Sequence, residues 1–128
     1  MDYNISKKIN KPFSEVISLV SEELKKEGFG IISEVDLKAK FKEKLGIDFR
    51  NYTILGACNP ALAYKAIETE DKIGVLLPCN VLVQEHEPGN VEVSAINPMN
   101  SIGGIGNSNL EPVAGEVSSR LEKVIRQL

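Results

Sequence analysis

Tyr52-Thr53-Ile54-Leu55-Gly56-Ala57-Cys58-Asn59-Pro60 reads as a strand that runs straight into the start of a helix. Residues 52–57 are nearly continuously apolar, the pattern of a strand buried on both faces. Asn59 is a favoured N-cap residue, and Pro60 suits the first helical position, where its missing N–H costs nothing. Leu62, Ala63, Ala66 and Ile67 then form the helix's inner face. A second segment, Leu76-Leu77-Pro78-Cys79-Asn80-Val81, again sets a Cys-Asn pair in a strand-like run, and Cys58 and Cys79 are the chain's two cysteines.

Working outward, Tyr3, Ile5, Lys7 and Ile9 alternate with polar Asn4, Ser6 and Lys8, which predicts a first strand. Pro12 opens a helix with Val16, Ile17, Val20 and Leu24 at helical spacing, and Gly28 stops it. Gly30 to Val35 reads as a second strand, and Asp36 as the cap of a second helix. That helix carries Leu37, Phe41 and Leu45 on one stripe and ends at Gly46. Ile73 to Glu85 reads as a long strand interrupted by Pro78, since proline cannot donate to a ladder. Glu87-Pro88-Gly89-Asn90 is a reverse turn, after which Val91, Val93 and Ala95 alternate with Glu92 and Ser94 to complete a hairpin. Ser101 to Asn109 is a glycine-rich loop. Asn109 is placed to cap a last helix with Pro112 in its first turn and Leu110, Val113, Val117, Leu121, Val124 and Leu128 inside.

No repeat, linker or low-complexity stretch divides this order of elements, so residues 1–128 are expected to form a single domain. The fold class is α+β: a two-layer α/β sandwich with one mixed sheet and helices mainly on one face. A chain of 128 residues buries roughly two-thirds of its unfolded surface, enough for a core without a metal or disulfide staple.

The composition is 42% hydrophobic and 26% charged, with a formal net charge of −3. An acidic chain argues against nucleic acid as the main partner, because phosphate binding needs a concentrated basic face. Lys38, Lys40, Lys42 and Lys44 are read as the solvated face of the second helix. No run approaches the ~18 apolar residues of a membrane helix. The charged opening residues Asp2, Lys7, Lys8, Lys11 and Glu15 show no signal peptide. Two cysteines without secretion signals point to the cytoplasm and free thiols.

Gly30-Ile31-Ile32-Ser33-Glu34-Val35-Asp36, Tyr52 to Pro60, Leu76 to Val81 and Val91 to Pro98 together resemble the blocks of domain-of-unknown-function family 302. In that family a Cys-Asn-Pro block follows one strand and a Leu-Pro-Cys-Asn block lies in the next. The resemblance covers roughly Tyr3 to Leu128. It implies a compact α/β fold, similar in layout to the TATA-binding-protein class, and commonly a homodimer. No established activity comes with it.

The candidate site consists of Cys58, Asn59, Cys79 and Asn80, two thiols and two amides that would converge in an apolar sheet. Cys58 stands just before a helix N-terminus, where the dipole and free N–H groups favour a thiolate. Capping by itself accounts for Asn59, and satisfaction of backbone groups freed at Pro78 accounts for Asn80. The two cysteines and His86 fit no zinc spacing, so neither a metal nor a cofactor is expected. His86, between Glu85 and Glu87, reads as a solvated turn residue. Gly103-Gly104-Ile105-Gly106 lacks the spacing of a phosphate loop and reads as a flexible loop that orders over a ligand or at a dimer contact. Glu34 and Asp36 share a strand side but make a weak acid–base pair, with Asp36 spent as a cap.

Three functions therefore compete. The first is a homodimeric small-molecule binding or sensing domain with a polar Cys-Asn pocket. The second is a thiol-dependent enzyme or redox switch using Cys58. The third is a structural or partner-binding module in which all four residues serve the fold.

Overall fold

The structure, a computed structural model, describes residues 2–128. Its strands are β1 (Asn4–Ile9), β2 (Gly30–Asp36), β3 (Tyr52–Cys58), β4 (Cys79–Glu87) and β5 (Asn90–Ile96). Its helices are α1 (Phe13–Lys26), α2 (Leu37–Leu45), α3 (Pro60–Thr69) and α4 (Glu111–Gln127). One five-stranded sheet has the order β1-β5-β4-β3-β2.

The α+β sandwich forms as expected, but the sheet is antiparallel at all four pairings rather than mixed. The strand–helix–strand order of β1, α1 and β2 suggests parallel neighbours, and these two strands do run the same way. They lie at opposite edges, however, because β3, β4 and β5 fill the space between them.

Alternation along the strands sorts the two faces. Leu55, Ala57, Cys79, Val81, Val83, Val91, Val93 and Ala95 are all at most 5% exposed and form the inner face. Against it pack Val16, Val20 and Leu24 of α1 and Val117, Leu121, Val124 and Ile125 of α4. Each such side chain taken fully from water contributes about 1.5–3 kcal/mol. The opposite face carries Tyr52, Ile54, Gly56, Asn80, Leu82, Gln84, Glu92, Ser94 and Ile96.

Several local expectations change. Residues 73–76 form a 3-10 turn, not the first part of a strand, and β4 begins only after Pro78. The glycine-rich loop folds as two short 3-10 turns, Ile102–Gly104 and Ser108–Leu110. It is pinned by Ile102, which is buried with Ala66, Ile73, Leu110 and Ala114 in a second small core. Asn107, not Asn109, supplies the local cap, its Oδ1 accepting from the Asn109 N–H, and α4 starts at Glu111 with no side-chain cap. Asp36 caps α2 as expected, accepting from Ala39 N–H at 3.0 Å. No α2 side chain is buried, so the stripe of Leu37, Phe41 and Leu45 does not enter the core.

Candidate functional site

Cys58 is the last residue of β3, and the chain turns there into α3. Asn59 is the N-cap: its Oδ1 accepts from Leu62 N–H at 3.2 Å. Its Nδ2 donates to the Glu27 carbonyl at 3.4 Å, tying the start of α3 to the end of α1. Arg120 of α4 donates to the same carbonyl at 2.9 Å. Gly28, at φ +84°, makes room for this junction, because a Cβ there would lie 2.8 Å from Asn59 Nδ2. Three helices thus meet at one end of the sheet at the Glu27 carbonyl, which accepts from both Asn59 and Arg120.

β4 starts at the same end. Cys79 pairs in register with Ala57, and Asn80 with Gly56. Cys79 therefore points to the inner face with Ala57 and is buried, while Asn80 points to the open face and is exposed. Cys58 is half-buried. Cys58, Asn59 and Cys79 line one crevice with Phe29, Ala63, Leu77, Pro78 and Ile102. Asn80 does not join them; it lines a separate groove of about 260 Å³ on the open face with Tyr3, Leu82 and Ile96. Period-2 alternation decides this separation, because adjacent strand residues leave the sheet on opposite sides. The crevice thus brings together three of the four sequence candidates.

Its walls are nearly all apolar, and its free volume is about 20 Å³. That is the room one water-sized molecule occupies. Both thiols are free. Burial pushes the Cys79 thiol up to about 11, with a smaller push from the neighbouring charge of Cys58. A thiol in such surroundings is a neutral, packed group at physiological pH. Asn59's amide is spent on the fold, and no buried side-chain nitrogen or oxygen among the described residues lacks a hydrogen-bond partner. The crevice therefore offers a ligand apolar contact and sulfur, not a waiting polar anchor.

Sequence reasoning missed Phe29, Ala63 and Ile102 as wall residues. Phe29 follows a helix stop and Ile102 lies in a glycine-rich loop, so neither belongs to a periodic pattern that would have placed it. His86 bonds Glu92 at 3.0 Å on the exposed hairpin, away from the crevice. No group of three or more His, Cys, Asp or Glu residues among those described is arranged to hold a metal ion. No helix among them is long and apolar enough to cross a membrane.

An antiparallel five-stranded sheet covered on one face by helices, with a Cys-Asn-Pro turn at its end, defines a two-layer α+β domain. The chain belongs to the family described as "Domain of unknown function DUF302", whose model matches residues 5–128. It is similar to an uncharacterized protein of Aquifex aeolicus (strain VF5), 28% identical over 116 residues, covering 91% of this chain and 74% of that one. It is also similar to the crystal structure of an uncharacterized conserved DUF302 protein from Bacillus stearothermophilus, with a TM-score of 0.91 and 26% identity over 99% of this chain and 98% of the other. These relatives carry no assigned role, and the function of this chain is unknown.

Proposed function

We propose that the chain is a single-domain, cytoplasmic, homodimeric sensing domain whose site is the crevice at the junction of β3, α3 and β4. The observation that carries this reading is that its two cysteines, 21 positions apart in the sequence, line one crevice. Cys58 stands half-exposed, and Cys79 is buried. The ligand that fits is small and apolar or thiol-reactive, because the walls are nearly all apolar and no buried side-chain nitrogen or oxygen among the described residues lacks a partner. With about 20 Å³ free, anything larger than water needs the Leu77-Pro78 segment to move aside. Asn59 serves as scaffold rather than as a ligand contact.

Native mass spectrometry of the protein as purified tests this. The reading expects a retained small-molecule mass or a covalent adduct that disappears in Cys58→Ala. A clean apo mass, together with a Cys58→Ala variant changed only in stability, would favour a purely structural role for both cysteines.

A second reading, thiol chemistry at Cys58, is favoured by the half-exposure of that residue. It predicts an alkylation rate whose pH midpoint lies well below 8.5, the ordinary cysteine value.

A further inference from the structure

Cys79 is 5% exposed and lines the crevice together with Cys58. No hydrogen bond among the described residues engages either sulfur. Cys79 pairs in register with Ala57, so Cys58 lies one residue further along β3. Strand spacing and rise then set the two Cα atoms roughly 6 Å apart. Alternation alone would send the Cys58 side chain to the open face, but the chain turns there into α3 and Cys58 joins the crevice wall. Burial raises the Cys79 thiol and charge on Cys58 adds to it, so the two sulfurs share one electrostatic neighbourhood. Such a separation suits a bridge between the sulfurs, direct or through a single atom.

The free volume decides what can stand between them. About 20 Å³ holds one water-sized group, and an organic molecule has to push Leu77 and Pro78 aside. A bare monovalent metal ion is smaller than water and needs no such movement. Donor chemistry narrows the choice further. Zinc takes four ligands in structural sites, and no third His, Cys, Asp or Glu among the described residues joins the two thiols. Calcium and magnesium require oxygen, whereas these walls are nearly all apolar and the Asn59 side-chain oxygen is engaged by the Leu62 N–H. Thiolate sulfur selects soft ions such as copper(I), and a monovalent d10 ion is content with two thiolates in line. Two metal–thiolate bonds of about 2.3 Å span roughly 4.6 Å, within reach of cysteines this close.

We infer that Cys58 and Cys79 together bind one soft monovalent d10 ion, of the class of copper(I), as a two-coordinate sulfur–metal–sulfur clamp inside the crevice. On binding, two metal–sulfur bonds form, each thiol that enters protonated gives its proton to water, and no electron is transferred. Two thiolates and one monovalent ion leave a net charge of −1. The positive end of α3 stands at Cys58 and offsets that charge. The bound ion ties the end of β3 to the start of β4 behind the Leu77-Pro78 wall. This inference deepens the crevice reading proposed above and rests on it; it needs no homodimer.

The test titrates the full chain, reduced and kept under argon without added thiol, with copper(I) against bicinchoninate as the competing chelator. One ion per chain is expected, with X-ray absorption showing two sulfur neighbours and no nitrogen or oxygen. Cys58→Ser and Cys79→Ser are each expected to weaken uptake at least roughly hundredfold, because the ion then keeps a single thiolate. Circular dichroism is the fold control, and a single sulfur neighbour in the wild type overturns the clamp even where a Cys79 variant fails to fold. Uptake that survives in Cys79→Ser but is lost in Cys58→Ser also overturns it, since Cys58 then binds alone and the crevice reading stands. One ion shared between Cys58 of two chains, visible by native mass spectrometry, overturns it in the same way. Zinc held as tightly as copper(I) overturns the two-coordinate assignment. A chain that takes up no copper(I) yet carries a small-molecule mass lost in Cys58→Ala overturns the clamp alone. A chain that takes up no copper(I) and carries no such mass overturns the clamp and the crevice reading together.

Discussion

Pro78 stands over Gly56 on the open face of the sheet: a Cβ built at position 56 would lie 2.7 Å from Pro78 Cγ and 2.1 Å from Ser33 Oγ. Gly56 lies in β3 between β2, which brings Ser33, and the segment entering β4, which brings Pro78. The absence of a side chain at this position lets both neighbours close over the strand, and of the two Pro78 also lines the crevice. Gly56→Ala is expected to destabilise the fold by about 1–3 kcal/mol, the usual cost of overpacking a close contact. Adding Ser33→Ala should recover only part of this, since the hydroxyl can rotate away but the proline ring cannot. Urea denaturation of the single and double variants measures it, and an unchanged midpoint for Gly56→Ala would show that the approach is loose.

Asn59 has two jobs that can be separated. Asn59→Ala loses both the cap on α3 and the bond to the Glu27 carbonyl, and is expected to cost about 1–2 kcal/mol. Asn59→Asp keeps an oxygen for the Leu62 N–H but sets a carboxylate against a carbonyl. It should therefore lose the α1–α3 tie while the α3 cap survives. Hydrogen exchange resolves the two: Leu62 N–H protection should fall in the Ala variant and persist in the Asp variant.

The sequence made the strands, α1, α3 and the caps at Asp36 and Asn59 legible because each rests on local physics: alternation, helical spacing and an oxygen in reach of a free N–H. Which face a residue occupies at a strand end was less legible. Asn80 follows Cys79 as Asn59 follows Cys58, yet the first repeat turns into a helix and the second continues as strand. The same dipeptide therefore puts its amide on opposite sides of the sheet. Strand order was hidden for a different reason, since pairing β1 with β5, whose registered residues are some ninety positions apart, leaves no trace in a local window. The stripe on α2 was visible, but a single sequence does not say whether an apolar stripe meets its own chain or another.

Cys79 gives the fold a pH dependence on the alkaline side. Burial raises its thiol from 9.0 to about 11, so the folded state disfavours the thiolate that the unfolded chain forms freely. Stability from this group is fully present below pH 9 and is lost as pH rises from about 9 through 11, at up to about 1.4 kcal/mol per unit and about 3 kcal/mol in all. Lysines titrate in the same range, so the measurement is a comparison: chemical denaturation of wild type and Cys79→Ala across pH 8 to 11. The wild-type curve should fall more steeply, and parallel curves would mean that the thiol is hydrated.

The two thiols should also differ as nucleophiles in the native protein. At pH 8 the Cys79 thiol, pushed up to about 11, is almost wholly protonated, and burial denies reagent access to it as well. Iodoacetamide is therefore expected to modify Cys58 alone in the folded chain and both cysteines after unfolding in urea, as read by peptide mass spectrometry. Modification of Cys58 adds a group larger than the roughly 20 Å³ that the crevice holds, so it should lower the melting temperature by forcing Leu77 and Pro78 outward. If Cys79 is alkylated at the same rate as Cys58 without denaturant, the Leu77-Pro78 wall opens freely in solution. The crevice would then be a transient gap rather than a closed site.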